Sequence, residues 1–141
     1  MNRLELTAPC GLDCFNCELY EENLDEVKRK KFAEAFSLSE EKVACKGCRA
    51  QGGCRLHWGN CDMLDCVKEK NVDFCFQCSE FPCSMYTPCV DGADRYTHNI
   101  KIFNLCRIKA VGVEKWAEEE AAEVRKKYFK GKFVPGKGPQ L

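Results

Sequence analysis

Apolar and polar residues change their rhythm several times along this chain. Residues 2–8 alternate weakly through Leu4, Leu6 and Ala8, which predicts a short strand. Residues 18–36 carry Tyr20, Leu24, Val27, Phe32, Ala35 and Phe36, which supply a usable apolar helical face. Glu18, Glu21, Glu22, Asp25 and Glu26 precede a basic run from Lys28 to Lys31, an order that suits the helix dipole. Ser37-Leu38-Ser39-Glu40 resembles a capping box opening a short helical turn. Residues 45–61 have no apolar period and contain Gly47, Gly52, Gly53 and Gly59, so they predict a loop that needs an external organiser. A short helix is expected over 62–70 with Asn71 as its stop, then a loop over 75–91 that holds Pro82 and Pro88. Two helices follow, 93–110 and 113–129, separated by Gly112. Ile100, Phe103, Cys106 and Ala110 define the expected inner face of the first. Val113, Trp116, Ala117, Ala121, Val124 and Tyr128 define that of the second.

The fold class expected is mainly α: a small cysteine-rich, metal-stabilised domain whose irregular zinc-knuckle loops are flanked by helices. One domain spans 1–132, with a cysteine-rich part over 1–90 and a helical hairpin over 91–132. Residues 133–141, with Pro135, Gly136, Gly138 and Pro139, are expected to be a flexible tail.

Composition changes this picture in one respect. The apolar share of 45% includes 13 cysteines among 141 residues, so the true hydrocarbon core is lean. No run approaches the length of a membrane span. Lys and Arg number 22, as do Asp and Glu, which excludes a strongly basic nucleic-acid footprint for the chain as a whole. The N-terminus has no apolar run of signal-peptide length, so the expected location is cytoplasmic. Cysteines are kept reduced there, and so many unpartnered thiols would be a liability.

Spacing points to metal. Cys10, Cys14 and Cys17 form C-x3-C-x2-C; Cys45 and Cys48 form C-x2-C, followed by Cys54 and Cys61; Cys66 precedes Cys75-x2-Cys78-x4-Cys83. A C-x2-C turn aims two thiolates at one tetrahedral ion. Chain order gives one set of Cys45, Cys48, Cys54 and Cys61 and another of Cys66, Cys75, Cys78 and Cys83. Cys10, Cys14 and Cys17 make a third that lacks a ligand, which Cys89 could supply. His57 is an alternative ligand in the middle set. Each four-thiolate zinc site carries a net charge of about −2. Lys46, Arg49 and Arg55 sit among the middle cysteines, and residues 91–141 hold 11 basic against 7 acidic side chains. Zinc is the expected ion, and an iron–sulfur cluster is the alternative. C-x3-C-x2-C is also the spacing of radical enzymes that use S-adenosylmethionine, but this chain is too short for their barrel. The ferredoxin run C-x2-C-x2-C-x3-C-P is absent. Disulfides are the reading should the chain be exported.

The ordered motifs resemble a known family. Cys10-Gly-Leu-Asp-Cys14-x-x-Cys17 with Tyr20, Cys45-Lys-Gly-Cys48-Arg, Cys61-x4-Cys66-Val-Lys-Glu-Lys and Cys75-Phe-Gln-Cys78-Ser-Glu-Phe-Pro-Cys83 are similar to the domain of unknown function 3795 family, small uncharacterised bacterial and archaeal proteins. The likeness covers about residues 8 to 86, and Gly112-Val-Glu-Lys-Trp116 is similar to some members. Cys54 stands seven residues before Cys61, where members often place a C-x2-C, so its membership of the middle set stays open. The resemblance implies metal binding and fold integrity and supplies no activity.

The expected role is that of a binding or interaction module with mainly structural metal sites, leaning away from an enzyme. Closed all-cysteine sets leave no open position, whereas catalytic zinc keeps one. His98 falls in a predicted helix, Cys106 on an apolar face, and Cys89 has no paired histidine, so no catalytic residue is assigned. A protein partner is the expected one. Nucleic acid is a weaker candidate, through the basic helix end of Arg125, Lys126, Lys127, Lys130 and Lys132 with Tyr128 and Phe129 between them. No membrane partner is expected.

Overall fold

The structure is a computed structural model, and it describes residues 2–54 and 60–141. Seven α-helices and one two-stranded sheet make up its regular elements among the described residues, with helices and 3-10 turns covering about half of the chain. The mainly α, cysteine-rich class holds at this level.

The N-terminal segment departs from the expected strand. Residues 3–6 form turns, and Thr7 makes a single antiparallel bridge to Asp13. The chain reverses there through Gly11, whose φ of +84° a residue with a Cβ rarely adopts. The reversal is closed by the Ala8 amide donating to the Leu12 carbonyl at 2.9 Å and the Gly11 amide to the Ala8 carbonyl at 2.9 Å.

Helix α1 (Glu26–Phe36) begins well after residue 18, because Asp25 caps it by accepting from the Lys28 amide at 2.7 Å. Tyr20 is held extended instead, in a parallel bridge to Cys45. The expected inner face is only partly used: Tyr20 is buried and Leu24 and Phe32 are half-buried, while Val27, Ala35 and Phe36 are exposed and Ala33, off that face, is buried. The left-handed Ser37 ends α1, and α2 (Glu40–Val43) follows Ser39 without a side-chain cap, so the expected capping box does not form. Leu19, Ala33, Val43 and Cys45 make a small core beneath this pair.

Helices α3 (Cys48–Gln51) and α4 (Asp62–Glu69) frame the middle of the chain; α4 matches expectation and ends at the left-handed Asn71. Residues 75–91 hold two 3-10 turns, Cys75–Gln77 and Ser84–Tyr86.

Helix α5 (Ile100–Val111) starts later than expected and shows a different face. Ile100, Lys101, Asn104, Leu105 and Ile108 are buried, whereas Phe103, Cys106 and Ala110 are exposed. Cys106 is therefore a surface thiol, not the core residue its apolar surroundings predict. The expected second helix breaks at Glu120 into α6 (Val113–Glu119) and α7 (Ala121–Lys130). Trp116 and Ala117 from α6 and Ala121 from α7 complete the main core with Ala8, Phe15, Phe74, Leu105 and Ile108. Trp116 is fully buried and meets Phe15 edge-on, with ring centroids 6.2 Å apart. The segment expected to be a flexible tail carries an antiparallel ribbon, β1 (Lys132–Val134) with β2 (Gly138–Gln140), in register Phe133 opposite Pro139. No helix among the described residues is long and apolar enough to cross a membrane.

Candidate metal centre

The first and third C-x2-C pairs are built on one local device. In each, a 3-10 turn starts on the first cysteine and the second donates its amide back: Cys17 to the Cys14 carbonyl at 3.0 Å, and Cys78 to the Cys75 carbonyl at 3.1 Å. Asn23 braces the first turn, its Nδ2 donating to the carbonyls of Phe15 and Cys17 at 2.8 Å each. Gln77 braces the other, its Oε1 accepting from the amides of Asp73 and Phe74 at 2.8 Å each.

The pair Cys45 and Cys48 is built differently. Gly47 between them has φ of +97°, and Cys48 opens α3. Cys45 stays on the extended bridge to Tyr20, its amide donating to the Leu19 carbonyl at 2.8 Å. The two sulfurs consequently serve different neighbourhoods. Cys48 meets Cys61, Cys10 and Cys14, whereas Cys45 lies near Cys14 and Cys17. Gln51 Nε2 also donates to the Cys45 sulfur, at 3.2 Å.

Three groupings result. Cys66, Cys78 and Cys83 surround Cys75, the set that chain order predicts. Cys10, Cys14, Cys48 and Cys61 form a second set drawn from three separate segments. Cys14, Cys17 and Cys45 form a third neighbourhood that shares Cys14 with the second. Cys10 is also near Cys75, so the sets adjoin. The chain-order set of Cys45, Cys48, Cys54 and Cys61 is thus divided. Cys54 is half-buried after Gly53, and His57 and Arg55 lie outside the described residues. Cys89 is exposed; Asn99 holds its backbone, and its sulfur lies 3.8 Å from the Asp91 carbonyl, so its contacts do not include Cys10, Cys14 or Cys17. No disulfide joins the described cysteines. Among the described residues no three or more cysteine, histidine or carboxylate side chains close into a metal cage. The sulfurs are neighbours whose side chains are not turned onto a common centre.

The surroundings of the sulfurs tell what charge they can carry. Burial pushes the Cys10 thiol up to about 11 and the Cys14 thiol up to about 12. Cys48 is raised by its hydrogen bond with Cys61 and then by burial. Against that trend, amides are directed at the sulfurs. Leu12 serves Cys10, Leu19 serves Cys17 and Glu80 serves Cys78, each amide two residues after its cysteine. For Cys78 the contact is 3.4 Å, and with Lys70 Nζ at 3.2 Å it lowers that thiol. These donors favour the thiolate, the form a soft cation binds. The donor set therefore fits a thiolate-bound ion, though its side chains need to turn to close around one.

Cations and polar groups beyond the cysteines complete the site. Arg125 on α7 pairs with the buried Asp13 at 3.0 Å and also acts on Cys17. Asn104 Nδ2 on α5 donates to the Gly11 carbonyl at 2.8 Å. Arg49 donates to the carbonyls of Thr7 at 2.9 Å and Asp73 at 2.6 Å, tying two cysteine loops together. The Tyr86 hydroxyl is buried beside Cys75, in a contact that falls short of hydrogen-bond geometry. Asp13 and Arg49 each stand next to a cysteine in sequence; Arg125 carries only the reading of a basic helix end, the weaker candidate for nucleic acid. His98 rests near the Thr87 carbonyl, with Nε2 at 2.9 Å, and joins no sulfur set.

No curated protein and no solved structure was found to be similar to the chain. A family described as protein of unknown function (DUF3795) matches residues 6–88, the segment that contains every cysteine of the three groupings. That match spans more than half of the chain and ends before α5, so the protein belongs to this family of unknown function.

Proposed function

We propose that this protein is a zinc-binding module whose ions are mainly structural and whose role is to bind another macromolecule. The observation that carries the reading is the pairing of sulfurs with amides. Two four-cysteine neighbourhoods come together, and the knuckle amides of Leu12 and Glu80 serve sulfurs in each. When bound, zinc supplies a tetrahedral cross-link among loops that have little hydrocarbon core of their own. Cys66, Cys75, Cys78 and Cys83 would hold one ion, and Cys10, Cys14, Cys48 and Cys61 another. The residues do the rest: the 3-10 turns present the sulfurs, the amides hold negative charge on them, and Arg49 keeps the loops in register. All-sulfur sets leave no position for a reacting water, which is why a binding role is favoured over catalysis.

An iron–sulfur redox or sensor protein is the second reading. Its support is that Cys14 belongs to two neighbourhoods and Cys10 is near Cys75 of the other, so the sulfurs form one continuous patch. Elemental analysis of full-length protein purified without air tests both. About two zinc ions per chain, each with four sulfurs, is the expected result. Brown protein carrying iron and acid-labile sulfide would replace zinc with the cluster, and protein free of both would overturn the metal reading.

A further inference from the structure

Lys101 is a buried cation with no carboxylate partner among the described residues. It lies on the first turn of α5 with 7% of its surface exposed, and its Nζ reaches the Met63 sulfur at 3.9 Å. The other cations near the sulfurs are accounted for. Arg125 has Asp13 at 3.0 Å, and Lys70 has Glu80 at 2.9 Å. Arg49, half-exposed, is spent on two backbone carbonyls. A long flexible ammonium is seldom buried unless a negative charge waits for it.

The electrostatic neighbour of Lys101 is Cys10, which shares a neighbourhood with Cys61, Cys14 and Cys48. The approach is held by the backbone. A Cβ on Gly11 would lie 3.1 Å from the Lys101 carbonyl and 3.0 Å from Leu105 Cγ, so the first turn of α5 is seated directly on the Cys10-Gly11 turn. The Asn104 bond to the Gly11 carbonyl fixes the rotation of the helix that points Lys101 inward. This explains why α5 buries a lysine and an asparagine while leaving Phe103 in water.

We infer that Lys101 is the counter-cation of an anionic thiolate centre formed by Cys10, Cys14, Cys48 and Cys61. The inference rests on the metal reading above and adds to it a charge and a residue: this set is the one built for an excess of negative charge. Four thiolates around one divalent ion keep a net charge of about −2, and an ammonium beside one sulfur offsets part of it. Lys101 is a positioning residue. It comes from α5, outside the segment that matches the family, so the helical part supplies charge to the cysteine part.

The test uses the full-length chain and its Lys101→Met and Lys101→Arg variants, loaded with zinc alone. Zinc affinity is measured by competition with a chromophoric chelator, and melting is followed with and without zinc. Lys101→Met should lose about 10- to 100-fold in affinity for one zinc equivalent, and Lys101→Arg should restore most of it. Methionine removes a buried charge, so the zinc-free variant should melt at or above the zinc-free parent, while the loaded variant melts below the loaded parent. Unchanged zinc affinity, or an equal fall in melting with and without zinc, overturns the role of Lys101 and leaves the metal reading standing. A parent chain that takes up no zinc overturns both. Where the zinc-free chain has no cooperative melt, the competition titration decides alone.

Discussion

Residues 100–130 and residues 7–86 share one core, yet they are held in different ways. In the first stretch the backbone is satisfied inside α5, α6 and α7, and Leu105, Ile108, Trp116 and Ala121 supply hydrocarbon to the core. In the second, α1 and α4 are joined by four-residue helices, 3-10 turns and loops, and Cys10, Cys45, Cys48 and Cys75 share the interior with residues such as Phe15, Leu64 and Phe74. Helices close their own hydrogen bonds wherever they are placed. Loops do not, so the second stretch depends on long-range ties: Arg49 to Thr7 and Asp73, the Cys75 amide to the Pro9 carbonyl at 3.1 Å, and the sulfur neighbourhoods. A helical hairpin can be short of partners and remain a hairpin. The loops have fewer such internal bonds, so under the zinc reading proposed above their arrangement depends on what keeps the sulfurs together.

The largest expected effect follows from that contrast. Chelating zinc, or replacing Cys75 or Cys78 with serine, should unfold the cysteine-rich stretch, since a structural ion contributes about 10–16 kcal/mol in small zinc domains. Trp116 reports it, because its ring is buried against Phe15 from the cysteine-rich side. Tryptophan emission should shift to the red and near-ultraviolet dichroism collapse, while much of the helical far-ultraviolet signal remains. A chelated chain with its full dichroism and melting midpoint would contradict the contrast drawn here.

A smaller effect probes the joint between the stretches. Asp13 is 1% exposed, and Arg125 lies 3.0 Å away. Removing one partner of a buried pair leaves an uncompensated charge, so Arg125→Met should cost about 3–5 kcal/mol. Burial by itself raises the Asp13 carboxyl, and Arg125 is the group that opposes this most strongly. The double variant Asp13→Asn with Arg125→Met should recover much of the loss in urea denaturation. Additive losses would mean that the pair does not couple the two parts.

How far these two stretches were legible in the sequence differs in the same way. Cys66, Cys75, Cys78 and Cys83 were readable as a set because they are consecutive and the 3-10 turn at Cys75–Gln77 is local. Cys45 and Cys48 group together by spacing, which hides the positive φ of Gly47 between them; Cys48 has Cys10 and Cys61 among its neighbours, and Cys45 has Cys17. Such a backbone choice leaves no trace in a spacing rule. The face of α5 was misread for a related reason. Lys101 and Asn104 are polar, so the periodicity favoured Phe103 and Cys106, yet the partners that bury them lie about ninety positions earlier at Cys10 and Gly11. The start of α1 was missed because Asp25 competes as a cap within an otherwise helical pattern. The tail read as flexible from its Pro and Gly content, although the same residues turn the β1–β2 ribbon.

Gly11 offers a sharper cut at the contact itself. It needs a left-handed backbone, and a methyl group there would press on Leu105 Cγ at 3.0 Å, the Lys101 carbonyl at 3.1 Å and Asn104 Cβ at 3.2 Å. Gly11→Ala should therefore destabilise by about 1–3 kcal/mol from backbone strain alone, with the steric contact adding to it. Gly52→Ala is the control: its φ is also positive, but nothing lies near its Cβ. A Gly11 variant no worse than the Gly52 variant would show that α5 is not seated tightly on the cysteine turn.

The smallest effect belongs wholly to the helical stretch and should leave the metal sites untouched. Arg107 on α5 grips Glu120 with two bonds, Nε to Oε2 at 2.8 Å and Nη2 to Oε1 at 2.6 Å, where α6 breaks into α7. The pair is partly exposed, with 39% and 22% of the side chains accessible, so water screens much of its strength. Arg107 holds the Glu120 carboxyl below the usual carboxylate range. A depressed carboxylate stabilises the fold fully above its unfolded value, about 4.3 for glutamate, and loses that contribution as pH falls through the lower folded value. Glu120→Gln should accordingly lower the melting midpoint by a few degrees at most near neutrality. The gap from the parent should close as both are taken into acid, and zinc content should be unchanged at neutral pH. If the variant also lost zinc near neutrality, the bend at Glu120 would be part of what holds the cysteine-rich stretch, and the division between the two stretches would have to be redrawn through α6.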